Sequence, residues 1–242
     1  MLRMKFALRT MVLVHLLFCS FVATKAADDI PVLPVKIRLI SGDSSNSRIS
    51  YGLDLFETAV SNLEYKTEKA HAILVGTKGM VQVIAGVNRT AIIKEAGQIL
   101  KMSLSTSTAK EHFRIIAKNG IVVVVGADPT GVMYGLMELR ERVLATKSMP
   151  ISLDIVDGPE MVLRGSCIGV QKPAYLPGRL VYEYPYTPES FPWFYDKELW
   201  TRVLDSMANN RMNALFLWNG HPFASLVKLK DYPYALEVDE AT

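Results

Sequence analysis

Two acidic side chains, Glu183 and Glu189, lie six residues apart within PAYLPGRLVYEYPYTPESFPWFY (173–195). Paired carboxylates can cleave glycosidic bonds, one protonating the leaving oxygen and the other acting as nucleophile or base. A spacing of six in a loop fixes no distance between the two, so they read as solvated loop acids, and no catalytic residue is assigned. The aromatic content of the segment is the stronger feature. It holds eight of the chain's 22 aromatic residues and five of its 12 prolines, too aromatic a composition for a disordered linker. Flat rings suit the C–H faces of sugars, and Trp193 is taken from this segment as a candidate sugar contact. The competing reading is a lid that packs over a barrel rim or onto the N-terminal domain.

A second stretch, IVVVVGADPTGVMYGLMEL (121–139), has the strand–turn–helix shape of a phosphate site. Gly126 and Gly131 have the spacing of a Walker A loop, but Val132 and Met133 stand where Lys and Ser/Thr are required. The dinucleotide pattern fails as well, because Ala127 and Asp128 follow Gly126, and Asp128 puts a carboxylate where an anion would sit. The turn therefore reads as a helix start, with Asp128 as N-cap and Pro129 in the first turn. Gly131 and Gly135, one turn apart, let that helix approach a sheet.

Histidine and cysteine give no metal site. His15 falls in the N-terminal apolar run, His71 and His112 read as strand residues, and His221 stands apart from all three. Cys167 is the only cysteine beyond residue 26, which excludes a disulfide and a cysteine-based metal site there. No metal and no cofactor are expected.

The N-terminus decides where the chain acts. A basic head (Arg3, Lys5, Arg9), a short apolar run and a small-x-small exit at Thr24 and Ala26 describe a secretory signal peptide over 1–26. The run is too short to span a membrane. The expected location is exported, periplasmic or extracellular. Removing Arg3, Lys5, Arg9 and Lys25 from 27 basic residues leaves 23 against 24 acidic ones. A near-neutral chain has no basic stripe, which argues against a nucleic-acid partner.

The elements that position these residues alternate along the chain. VKIRLI (35–40) reads as a strand, 51–63 as a helix, AHAILVG (70–76) as a buried strand and 89–101 as a second helix. Two strand-like runs flank Asn119-Gly120, the dipeptide of a two-residue hairpin, and the helix after Asp128 runs to about Ala145. These predict a small α/β sandwich domain, a sheet with helices on one face, over 27–150. A join follows at 151–165. Then VLRGSCIGV reads as a strand, DKELWTRVLDSMANN as a helix and NALFLW as a strand, which is how a parallel (β/α)8 barrel begins. Residues 151–242 are thus expected to be the first strand–helix–strand of an incomplete TIM barrel. Arg164 is assigned to structure, bridging strand and domain join.

The order FRIIAKNGIVVVVGADPTGVMYGLMEL, then DIVDGPEMVLRG, then MANNRMNALFLW resembles glycoside hydrolases of the β-N-acetylhexosaminidase (family 20) and α-glucuronidase type. The resemblance covers roughly 110–218, from the end of their N-terminal α/β domain to their second barrel strand. It implies an exported glycan-processing protein with an oligo- or polysaccharide partner, the catalytic acids lying beyond this chain and the chain alone inactive. The alternative is a non-catalytic carbohydrate-binding or interaction module. Counting from Arg164, the places where the hexosaminidases carry an aspartate and a sugar-binding arginine are Gly169 and Lys172, so the resemblance implies carbohydrate chemistry rather than N-acetylhexosamine in particular. Lys172 is the candidate hydroxyl donor there, a point charge without arginine's fork. Trp218, Asn219 and His221, at the end of the second strand, complete the candidate substrate-binding set.

Overall fold

The computed structural model describes residues 36–169 and 192–218. The segment 1–26, expected from the sequence to be a signal peptide, the pair Glu183 and Glu189, and Lys172, Asn219 and His221 lie outside the described residues.

Contacts divide the chain into two units, one ending at Val156 and one starting at Asp157. The first is built on a six-stranded sheet in the order β2-β1-β3-β5-β4-β6. Its strands are β1 (Lys36–Ser41), β2 (Lys66–Ala70), β3 (Met80–Val87), β4 (Phe113–Lys118), β5 (Ile121–Gly126) and β6 (Leu153–Asp157). β1 is parallel to β2 and β3, and β3 to β5, while β4 runs antiparallel to β5. β5 is buried at every residue, as expected of an apolar run in the middle of a sheet. Asn119 (φ 53°) and Gly120 (φ 75°) make the tight turn that the Asn-Gly dipeptide predicts.

Helices α1 (Ser47–Ser61), α2 (Ala91–Leu100) and α3 (Pro129–Thr146) complete the unit. β-strand side chains alternate between faces, and the buried residues sort accordingly. Ile92, Ile93, Ala96 and Leu100 of α2 share a core with Ile84, Val123 and Val125. A Cβ on Gly135 of α3 would instead stand 2.5 Å from Cγ1 of Val124, on the other face, and Gly52 of α1 lies against Met133 and Leu136 of α3. The α/β class is as read from the sequence, and α1 and α3 share one face; α2 covers the opposite one.

The strand placed at 70–76 is corrected. Residues 71–79 belong to no strand, and the central strand is β3, ten residues later. Apolar letters alone favoured AHAILVG. Its backbone is instead held from the side: Gln82, 1 % exposed, accepts from the Leu74 N–H at 2.7 Å and donates to the Leu74 carbonyl at 2.6 Å. The polar run KTEKA is the sheet-edge strand β2, whose Glu68 faces Lys36 and Arg38 across β1; charge at an exposed edge discourages pairing with another chain.

The second unit holds β7 (Gly165–Gly169), a 3₁₀ turn (Pro192–Tyr195), α4 (Lys197–Asn209) and β8 (Ala214–Trp218). Asp196 caps α4 by accepting from the Leu199 N–H at 3.0 Å. β7 and β8 are parallel, with Gly165 opposite Ala214 and Gly169 opposite Trp218. This is one strand–helix–strand unit.

Candidate functional site

The former phosphate candidate is a structural joint. Oδ1 of Asp128 accepts from the Gly131 N–H at 2.8 Å and Oδ2 from the Glu111 N–H at 3.0 Å. One carboxylate thus caps α3 and pins the chain entering β4, and it occupies the place where an anion would bind. Gly131 approaches the His112 carbonyl so closely that a Cβ there would collide with it. Gly131 thus lets α3 approach the segment just before β4, and Gly135 lets it approach the sheet itself at Val124 and Phe113.

In the second unit, the parallel register brings the carboxyl ends of β7 and β8 level at Gly169 and Trp218. Parallel barrels build their sites at that end of their strands. Trp218 is the last residue of β8 and so stands at that end, while the other candidates Lys172, Asn219 and His221 lie outside the described residues. Trp193 sits in the 3₁₀ turn, half-buried, its ring 6.1 Å from Trp200 and 6.0 Å from Phe194. The Trp200 indole N–H donates to the Phe194 carbonyl at 2.8 Å. Trp193 thus belongs to a small aromatic cluster on α4.

The opposite, amino ends of the same strands are tied together. Arg164 donates from Nε to the Arg211 carbonyl at 2.8 Å and from Nη1 to the Met161 carbonyl at 2.6 Å. That is the structural role expected of it from the sequence. Asn213 closes the same junction, a role the sequence did not show. Gly165 lies directly against the Ala214 backbone, where a Cβ would collide with its carbonyl oxygen. Among the described residues no three His, Cys, Asp or Glu side chains converge in a way that could hold a metal ion, and no helix is long and apolar enough to cross a membrane.

A further concave surface, missed by sequence reading, lies wholly in the first unit. A groove of about 850 Å³ runs along α2 and the segment after it, with Arg89, Lys94 and Lys101 on its walls. The signal was present in the sequence: Lys94 and Lys101 are seven residues apart, two helical turns, and so share a face.

Comparison with solved structures bears on both units. The chain is 41% identical to a GH138 enzyme targeting pectin rhamnogalacturonan II, with a TM-score of 0.66 over 85% of this chain. The chain is similar to part of a glycoside hydrolase. It spans 27% of the length of that relative. The structure of CpGH84D superposes with a TM-score of 0.53 over 82% of this chain and 30% of its own, at 12% identity, a likeness of fold. These likenesses support the glycoside hydrolase reading without singling out family 20 or the α-glucuronidases. No protein-family profile and no curated protein matches the chain.

Proposed function

We propose that the chain is the accessory α/β domain and barrel start of an exported glycoside hydrolase that acts on a pectic glycan of the rhamnogalacturonan II kind. The observation that carries this reading is the sequence identity with the GH138 enzyme, which extends over most of the chain. The parallel β7–α4–β8 unit supports it, as does the apolar surface left by Val162, Leu163 and Phe216, at 90 %, 75 % and 57 % exposure, which further strand–helix units would cover. Trp193, Trp218, Lys172, Asn219 and His221 are the proposed sugar contacts, rings against C–H faces and polar tips to hydroxyls. The acid and base of hydrolysis come from residues beyond this chain, and domain limits at 27–150 and 151–242 belong to the same proposal.

Affinity electrophoresis of the purified chain through gels containing pectic and non-pectic polysaccharides tests the reading, with aryl glycoside turnover measured alongside. Retardation in pectic gels without turnover is the expected result. Unchanged mobility in every gel argues against carbohydrate as the ligand class, and turnover by the isolated chain contradicts the placement of the catalytic acids.

A further inference from the structure

We infer that the groove along α2 is a second, non-catalytic binding site that holds a carboxylate-bearing stretch of glycan. Its position is the first argument. β3 is followed by α2 on one face of the sheet, and its parallel neighbour β5 by α3 on the other. Where the connections after adjacent parallel strands diverge to opposite faces, a crevice opens at their carboxyl ends, and ligands of open α/β sheets bind in such crevices. Asn88 and Ala127, which directly follow β3 and β5, line this groove.

Its charge is the second argument. Arg89, Lys94 and Lys101 line it, with no Asp or Glu among the lining residues. None of the three cations has an ion-pair partner among the described residues, whereas the cations at the far edge of the sheet, Lys36, Arg38 and Lys69, all do. Three cations without such partners among the described residues, set around one depression, make a field that favours anions.

Its construction is the third. The segment after α2 is held from both sides. Asn88 accepts through Oδ1 from the Thr106 N–H at 3.1 Å and donates through Nδ2 to the Thr106 and Ser107 carbonyls at 3.4 and 3.5 Å. Arg114 donates through Nη1 to the Ser103 and Ser105 carbonyls, each at 3.3 Å. Asn88 is thereby engaged in holding a wall in place. A pre-formed groove spares a ligand the ordering cost of its site. The dimensions and chemistry select a glycan over a lone anion. About 850 Å³ is the size of a cleft for an extended molecule, and the partly buried Met102 gives apolar surface for a ring face beside the exposed hydroxyls of Ser103 and Ser105, over a floor formed by the buried Ile93 and Leu104.

This site rests on the glycan reading for the sugar, and on the groove alone for the charge. The test is calorimetric titration of the purified chain with oligogalacturonate, in wild type, in Lys94→Gln and in the triple variant Arg89→Gln/Lys94→Gln/Lys101→Gln. Thermal melts check that each folds; Lys94 is exposed in mid-helix, where glutamine is accommodated. The expected result is binding weakened severalfold in Lys94→Gln and at least tenfold in the triple variant, with affinity falling as salt rises. Equal affinity in all three proteins overturns the inference, and so does an absence of oligogalacturonate binding. Displacement by inorganic phosphate or a single-stranded oligonucleotide at the same concentration also overturns it, since the groove would then be a general anion site. A neutral pectic oligosaccharide titrated on tryptophan fluorescence separates the two readings. If it still binds while the groove variants change nothing, the groove inference fails alone; if no carbohydrate binds at all, the glycan reading fails with it.

Discussion

Asn213 and Arg164 exchange two hydrogen bonds across the start of the β7–β8 pair: the Arg164 N–H donates to Oδ1 of Asn213 at 3.0 Å, and the Asn213 N–H donates to the Arg164 carbonyl at 2.7 Å. The Asn213 Nδ2 adds a bond to the Val162 carbonyl at 2.8 Å. One side chain thereby sets the register of two strands that are 49 residues apart in sequence. Asn213→Ala leaves the Arg164 N–H and the Val162 carbonyl to water, a net loss of about 1 kcal/mol per hydrogen bond. All three tryptophans, Trp193, Trp200 and Trp218, lie in the second unit. A urea titration followed by tryptophan fluorescence should therefore show a lower midpoint for Asn213→Ala, with a smaller change in the far-ultraviolet circular dichroism of the whole chain.

The close approach of α3 to the sheet gives a sharper result. Gly135→Ala puts a methyl 2.5 Å from Cγ1 of Val124 and 3.2 Å from the Phe113 ring. Overpacking of this kind costs about 1–3 kcal/mol, and a thermal melt should fall by several degrees. Asp128→Ala removes the α3 cap and the Glu111 contact together, and about 1–2 kcal/mol is expected. If Asp128→Ala melted like wild type, capping would not explain the turn.

Acid should loosen the sheet edge at β6. Arg114 pairs with Asp154 through Nε and Nη2, each at 2.8 Å, and this hydrogen bonding holds the Asp154 carboxyl below its usual value. A depressed carboxylate contributes stability above the unfolded carboxyl range near pH 4, and that contribution disappears as pH falls through the lower folded value. Asp154 is half exposed, at 51 %, so its share is discounted to about 0.5 kcal/mol. Asp154→Asn should flatten the decline in stability below about pH 4. A variant that loses stability on acidification as steeply as wild type contradicts this assignment.

Gln82 is the remaining test of the first unit. Gln82→Leu preserves bulk but strips the Leu74 N–H and carbonyl of their partner. A buried unpaired group costs about 1–3 kcal/mol, and hydrogen exchange at Leu74 should accelerate well beyond that of the neighbouring strands. Unchanged exchange there would mean that Gln82 does not hold the 71–76 segment.

What the sequence showed and what it hid follow from the range of the forces involved. The Asn119-Gly120 hairpin, the Asp128 cap and the β7–α4–β8 order rest on local backbone chemistry and were legible. So was the structural role of Arg164. β3 was missed because Gln82 and Gly86 interrupt its apolar pattern, yet both have tertiary reasons: Gln82 serves Leu74, and a Cβ on Gly86 would stand 3.0 Å from both Ile93 and Thr90. β2 was missed because an edge strand can be charged. The position of α2 on the opposite face could not be read from its own periodicity, which shows that a helix has an apolar face but not which side of the sheet receives it. The groove followed the same rule: the spacing of Lys94 and Lys101 was visible, but its opening beside Asn88 and Ala127 depends on that crossing.

The glycan claim is tested most directly by titrating the purified chain with rhamnogalacturonan II oligosaccharides and reading tryptophan fluorescence, which reports on the second unit alone. A saturable change is predicted, weakened severalfold in Trp218→Phe while the thermal melt is kept. Fluorescence unaffected by every oligosaccharide, or a saturable change that Trp218→Phe leaves intact, would contradict a sugar site at the carboxyl ends of β7 and β8.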